Sequence, residues 1–266
     1  MAAPNSWSLP LLLAEVLAPE GQPGATPRAH FVAPTPREAM REMVTDRPDT
    51  TESPFTVDAG HVQLELDAFA AEHDEGATEL WAAATNLRLG LTPAVDLHLI
   101  VEPWRRAGGT AGFGDLTVRA KLNLWGNDEG HTAFGVIGFV RLPTASAGLG
   151  AGGVEGGIIL PFALELPSDI DFSTMVELDE IRRDDGLGTD LILSASVGHD
   201  LWNDLGGFVE LASSMPLDTP DESELGANGG LILQLGDDLA VDSGVRVGLT
   251  RAAPDLAWFI GGSARY

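Results

Sequence analysis

From His61 to the last residue, apolar and polar side chains alternate in short stretches, and the alternation predicts β-strands with one apolar and one wet face. In one stretch Leu116, Val118, Ala120, Leu122 and Leu124 share a face, and Asp115, Thr117, Arg119, Lys121 and Asn123 share the other. The division recurs with Val62, Leu64 and Leu66 against Gln63, Glu65 and Asp67. It recurs again with Ile170, Phe172, Thr174, Val176 and Leu178 against Asp169, Asp171, Ser173, Glu177 and Asp179. About twelve such stretches are predicted, near 61–70, 82–91, 94–104, 114–125, 131–142, 156–166, 169–180, 189–201, 205–215, 226–235, 238–249 and 255–266. Each approaches the roughly 9 to 11 residues that a tilted membrane strand needs, and the count is even, as bacterial single-chain barrels require. The fifth, 131–142, alternates poorly.

A soluble sandwich or barrel also alternates, so the connections discriminate better. After every second stretch comes a short turn sequence: Thr92-Pro93, Gly126 to Gly130, Pro167-Ser168, Asn203-Asp204 and Gly236-Asp237. The intervening connections Arg105 to Gly112, Pro143 to Glu155, Ile181 to Gly188 and Pro216 to Leu225 read as longer, polar loops. Short and long connections alternate in outer-membrane barrels, whose periplasmic turns are tight. Trp81, Trp104, Phe113, Trp125, Trp202 and Tyr266 stand near strand ends, where interfacial girdles are built; in a soluble barrel they would cap the core.

The first sixty residues read differently. They are rich in Pro, Ala and charge, and their one apolar run, Leu9 to Leu17, is broken by Pro10 and Glu15. No basic residue precedes Arg28, so an export signal of the usual form is not evident. Pro36 to Met43 is expected to form a short helix. The prolines keep Thr45 to Pro54 extended, since each biases its predecessor away from the helical region. The expected division is therefore an N-terminal export or periplasmic segment, 1–55, followed by a barrel, 56–266. The end of the first part is either a plug, with Asp46, Arg47, Asp49 and Glu52 pairing with lumen charges, or only a tether.

Charge narrows the function. The net charge is −25, with 15 Lys and Arg against 40 Asp and Glu, which argues against a nucleic-acid partner. No apolar run is long enough for a transmembrane helix. Without cysteine there is neither a disulfide nor a thiolate metal site. Gly148 to Gly153 matches GxGxxG but lies between two strands, where no helix N-terminus could hold a pyrophosphate, so it reads as a flexible loop. The six histidines are scattered, and the acidic stretches Asp184-Asp185 and Asp218 to Glu224 lack the ligand spacing of an EF-hand. No catalytic residue, cofactor site or metal site is expected. The candidate functional residues are those expected to line a lumen: Glu65, Asp67, Arg88, Asp96, His98, Asp115, Arg119, Lys121, Asp171, Glu177, Asp190, Asp242, Arg246 and Arg265.

Four segments carry a family resemblance: Thr45 to Leu66 (TDRPDTTESPFTVDAGHVQLEL), Gly112 to Trp125 (GFGDLTVRAKLNLW), Gly152 to Pro167 (GGVEGGIILPFALELP) and Gly244 to Tyr266 (GVRVGLTRAAPDLAWFIGGSARY). They resemble the MetA-pathway of phenol degradation family over about Thr45 to Tyr266. The resemblance implies an all-β, transmembrane, antiparallel up-and-down barrel of the bacterial outer membrane, transporter-like. The ending, with Trp258, Ile260, Gly262 and Ala264 alternating before Tyr266, also resembles the signal read by the barrel-assembly machinery. The expected function is a passive conduit for small molecules, aromatic or hydrophobic ones among them. A closed structural or interaction barrel and a soluble ligand-binding barrel are the alternatives. The expected partners are outer-membrane lipid, that machinery and a small solute.

Overall fold

A computed structural model describes residues 29–128, 130–183 and 186–266; the apolar run Leu9 to Leu17 and the pair Asp184-Asp185 lie outside the described residues. The alternating stretches form strands β1 (Val62–Asp74), β2 (Ala77–Thr92), β3 (Val95–Val101), β4 (Leu116–Trp125), β5 (Thr132–Leu142) and β6 (Glu155–Leu166). They continue through β7 (Ile170–Arg183), β8 (Gly186–Trp202), β9 (Leu205–Pro216), β10 (Glu224–Gln234), β11 (Leu239–Gly248) and β12 (Leu256–Arg265). Two short pieces, Trp104–Ala107 and Thr110–Gly112, prolong β3 and β4. Each strand pairs antiparallel with the next, and β1 pairs with both β2 and β12. The described residues thus form a closed twelve-stranded barrel. Backbone bonds between Val62 and Tyr266 seal the seam, at 3.1 and 2.8 Å.

The burial pattern is inverted relative to a soluble protein. Large apolar side chains stand exposed around the circumference, among them Leu97, Val118, Ile158, Val176, Val209 and Val245, while Gln63, Glu65, Arg88, Lys121 and Asp242 are buried inside. Hydrocarbon is the solvent for which an apolar outside and a polar inside is the stable arrangement. A soluble barrel is thereby set aside, and the fold class is that of a membrane-spanning β-barrel.

All five turn sequences join strands at one end, the turn end, where both ends of the barrel chain also lie. At the opposite, loop end three expectations need correction. Strands β1 and β2 run on to a two-residue turn at Glu75 and Gly76, with φ of 45° and 85°. Arg105 to Gly112 is a hairpin turning at Gly108 and Gly109, with φ of 54° and 84°. Across Ile181 to Gly188 strands β7 and β8 stay paired, Arg183 facing Gly186. Tight hairpin turns and open loops share the same glycine-rich, polar composition, and only the left-handed backbone pair distinguishes them. Pro143 to Val154, Leu217 to Ser223 and Leu249 to Asp255 are true loops. The helix expected at Pro36 to Met43 is a single 3₁₀ turn, Arg37–Ala39, because so short a stretch does not offset the cost of helix nucleation.

Two bulges lie side by side. Register shifts between Asp67 and Phe69 against β12, and Ala83 adopts φ 58° on β2. An extra residue inverts the side-chain phase beyond it. Trp81, expected in an outer girdle, consequently lines the lumen, with the Arg105 guanidinium 5.3 Å from its ring centre. The weak alternation of β5 also has a cause. Ile137 and Phe139 point inward with Ile159 and Met175, forming an apolar patch on an otherwise polar inner wall.

Candidate functional site

The segment between Glu42 and Ala59 runs through the interior of the barrel and hydrogen-bonds to nine of its strands. Pro48 and Pro54 deny it regular structure, so its backbone groups need other partners. Side chains of the wall supply them. Asp46 and Val57 donate their amides to Glu65 and Asp96, at 3.2 and 3.0 Å. The amides of Thr50 and Thr51 go to Glu210 at 3.0 and 2.7 Å. The carbonyls of Val44, Phe55 and Pro54 accept from Gln63, Arg88 and Asn123, at 2.8, 2.8 and 2.9 Å. The Glu52 amide points at the Met175 sulfur, 3.4 Å away on the apolar patch. At Gly90 the segment comes so close that a Cβ would lie 2.1 Å from the Asp58 carbonyl oxygen.

Ion pairs fasten the side chains. Lys121 and Arg88, both wholly buried, hold the Asp46 carboxylate at 2.6 and 3.2 Å. Arg88 also pairs with Glu65 at 2.9 Å and Asp96 at 3.0 Å, and His98 Nε2 lies 3.0 Å from Asp96. Arg47 pairs with Asp67 at 2.5 Å and Asp242 at 2.6 Å, its guanidinium 5.8 Å from the Phe259 ring centre. A Cβ at position 261 would meet that guanidinium at 2.4 Å, so Gly261 makes room for it. Glu52 pairs with Arg119, which lies 5.6 Å over Phe139. Arg246 donates to Asn228 at 2.9 Å and also to Thr50.

Two carboxylates of the segment, neither on a strand, are driven apart in pKa. Burial alone raises that of Asp46, but Arg88, Lys121 and His98 outweigh it and hold the group well below the usual carboxylate range. Asp49 lacks such partners; burial, then Glu210, pushes it up to about 7.

Arg47, Pro48 and Asp49 line cavities on both sides, forming a septum. The cavity toward the loop end has a volume of about 400 Å³ and reaches Glu72, Trp81 and Glu102. The cavity toward the turn end has about 640 Å³ and reaches His131, Asp171 and Gln234.

The lumen candidates therefore fall into groups. Glu65, Arg88, Asp96, His98 and Lys121 gather around Asp46; Asp67 and Asp242 around Arg47; Arg119 at Glu52; Arg246 at Thr50. Glu177 lines a side cavity with Thr50. Asp171 lines the turn-end cavity, and Arg265 sits at that end bonded to Asp238 at 2.9 Å and the Arg41 carbonyl at 2.8 Å. Two candidates lie elsewhere. Asp115 accepts the amides of Ala145 and Ala151, at 2.9 and 2.8 Å, and pins the Pro143 to Val154 loop; Asp190 pairs with Arg183 near the β7–β8 hairpin. Both have the inward parity but stand beyond the segment's reach.

A family model described as "Putative MetA-pathway of phenol degradation" matches residues 45–266, from Thr45 in the proline-containing segment to Tyr266, just after β12. The chain belongs to this family. The match thus takes in the internal segment as well as every strand. Among solved structures, this member of the MetA-pathway family is similar to an outer membrane channel from Pseudomonas putida F1. Identity is 12% and the TM-score 0.56, over 84% of this chain and 100% of the other. It is also similar to the NanC porin, at 9% identity and TM-score 0.55, over 76% of this chain and 98% of that one. At such identities the likeness is one of fold. No curated protein matches the chain in sequence.

Sequence reading missed Glu210, Asn228, Ser194 and the apolar patch. Glu210 carried a usable signal, because it alternates with Val209 and Leu211, both exposed to the outside. Thr51, whose hydroxyl lies 2.7 Å from that of Ser194, carried none.

Proposed function

We propose that the protein resides in the bacterial outer membrane as a passive conduit for small solutes, aromatic or hydrophobic ones among them, and that residues up to 55 act as its plug. The turn end faces the periplasm and the loop end the outside, as in other barrels of this construction. The observation that supports the reading is the septum: Arg47, Pro48 and Asp49 line two cavities, one toward each end of the barrel. Lipid covers the outer apolar face. The strand ending at Tyr266, which closes the seam against Val62, serves as the handle for the barrel-assembly machinery. No catalytic step is assigned to any residue.

The charge-locked segment favours a second reading, a closed structural barrel. A reversible lock separates the two. Thr51 and Ser194 touch through their hydroxyls, and the chain has no cysteine of its own, so Thr51→Cys with Ser194→Cys gives a single engineered disulfide. In liposomes the reduced form is expected to pass a neutral phenol and the oxidised form to exclude it. Removal of residues before 56 is expected to raise flux. Equal flux in the oxidised, reduced and truncated forms overturns the plug, and no flux in any of them overturns the conduit.

A further inference from the structure

The loop-end cavity differs from the rest of the lumen in what lines it. Seven carboxylate residues and three arginines border it, together with the rings of Trp81 and Phe259. Four of the carboxylates are engaged: Asp46 by Lys121, Glu65 by Arg88, Asp67 by Arg47, and one oxygen of Glu52 by Arg119. Asp49, Glu72 and Glu102 have no ion-pair partner among the described residues; Asp49 belongs to the septum, and Glu72 and Glu102 to the wall. The second Glu52 oxygen, Oε2, and the amide oxygen of Asn86 are buried acceptors without a donor, and both belong to residues lining this cavity. Buried acceptors left unpaired are costly, so the residues lining this cavity keep hydrogen-bonding capacity for a group that donates. A ligand with several N–H donors, a positive charge and an apolar body matches carboxylates, orphan acceptors and aromatic faces together. The rings already serve this way, Trp81 beneath Arg105 and Phe259 beneath Arg47.

We infer that this cavity is a binding site for small organic ammonium ions carrying an aromatic or alkyl group, held by Glu72 and Glu102. The inference rests on the conduit reading only for the ligand's route onward; binding is read independently of flux. The cavity lies toward the loop end, where Glu72, Trp81 and Glu102 stand near the rim. An ammonium is favoured over a neutral isostere because the focused field of the unpaired carboxylates acts on its charge, and over an anion for the same reason.

The test uses the full chain in detergent and three probes of one shape: 2-phenylethylammonium, 2-phenylethanol and phenylacetate. Calorimetric titration is expected to give the ammonium at least tenfold tighter binding than the alcohol, with no detectable binding of the carboxylate. Glu72→Gln with Glu102→Gln should reduce the ammonium affinity about tenfold and leave the alcohol unchanged, whereas Asp171→Asn, on the other side of the septum, should alter neither. Equal affinities for ammonium and alcohol, no binding of either, or a loss of affinity for both probes in the double variant would each overturn the site. Flux in liposomes without charge discrimination would remove the site and leave the conduit. Discriminating binding without flux in any plug variant would remove the conduit and leave the site.

Discussion

The ammonium of Lys121 lies 2.6 and 2.8 Å from the two oxygens of Asp46, a residue 75 positions earlier that belongs to no strand. Lys121 is wholly buried, so the pair is dry, and removing one member of such a pair costs about 3 to 5 kcal/mol because the other stays charged. Lys121→Met is expected to loosen the segment and raise single-channel conductance, with Arg88 retaining part of the hold on Asp46. Adding Asp46→Asn should restore closure in part, since no unpaired carboxylate then remains. Conductances of the two variants in planar bilayers, with barrel integrity followed by heat-modifiable migration, check this; a double variant as leaky as the single one contradicts it.

Acidity should tighten the plug. The Asp49 carboxyl sits at about 7 in the docked segment, through burial and the nearby Glu210 and Glu52, with Ser196 opposing the rise by a hydrogen bond. In an undocked segment it would titrate near 4. A carboxylate whose pKa is raised on docking penalises the docked state fully above pH 7, and the penalty disappears as pH falls from about 7 toward about 4. Asp46 works the other way, but its contribution is lost only far below pH 4. Conductance is therefore expected to be lower at pH 5.5 than at pH 8, and Asp49→Asn should flatten that difference. A wild-type conductance that rises on acidification over this range is the contrary result.

Val118 is 42% exposed on the outer face, between Leu99 and Val140 on the flanking strands. An arginine there must sit in hydrocarbon at a cost of about 2 to 4 kcal/mol near mid-membrane. Val118→Arg is expected to lower the yield of assembled barrel and to weaken its heat-modifiable migration. Wild-type yield and migration would argue that this face does not meet lipid.

Sidedness is tested with single cysteines in a chain that otherwise has none. Ala147→Cys, in the long loop after β5, should react with an impermeant maleimide on intact cells. Asn203→Cys, in the β8–β9 turn, should react only after the outer membrane is permeabilised. The reverse pattern would invert the topology.

Much of this architecture is local and therefore readable along the chain. The two-residue period fixes which side chains share a face, so Val118 and Lys121 could be assigned to opposite sides of β4 from their parity alone. Turn chemistry at Asn203-Asp204 and Pro167-Ser168 marked where strands reverse. Ile137 and Phe139 blurred the period because part of the inner wall is apolar, packed beside the segment at Met175. Trp81 was misplaced because a bulge inverts the face of everything beyond it, and one extra residue leaves no mark in an alternating pattern.

Alternation and turns, set by the backbone geometry of single strands, determined the number of strands, their faces and the side of the barrel that is wet. Which inner residues meet was decided only by closure. The stagger of twelve strands sets the height of each residue on the wall, and that height separates Glu65, Arg88 and Lys121, which gather at Asp46, from Asp115 and Asp190, which share their inward parity but end beside loops. The path of the proline-containing segment was likewise decided by tertiary structure. Its own sequence forbids regular hydrogen bonding but names no partner, and the buried acceptors and cations of the wall supplied one.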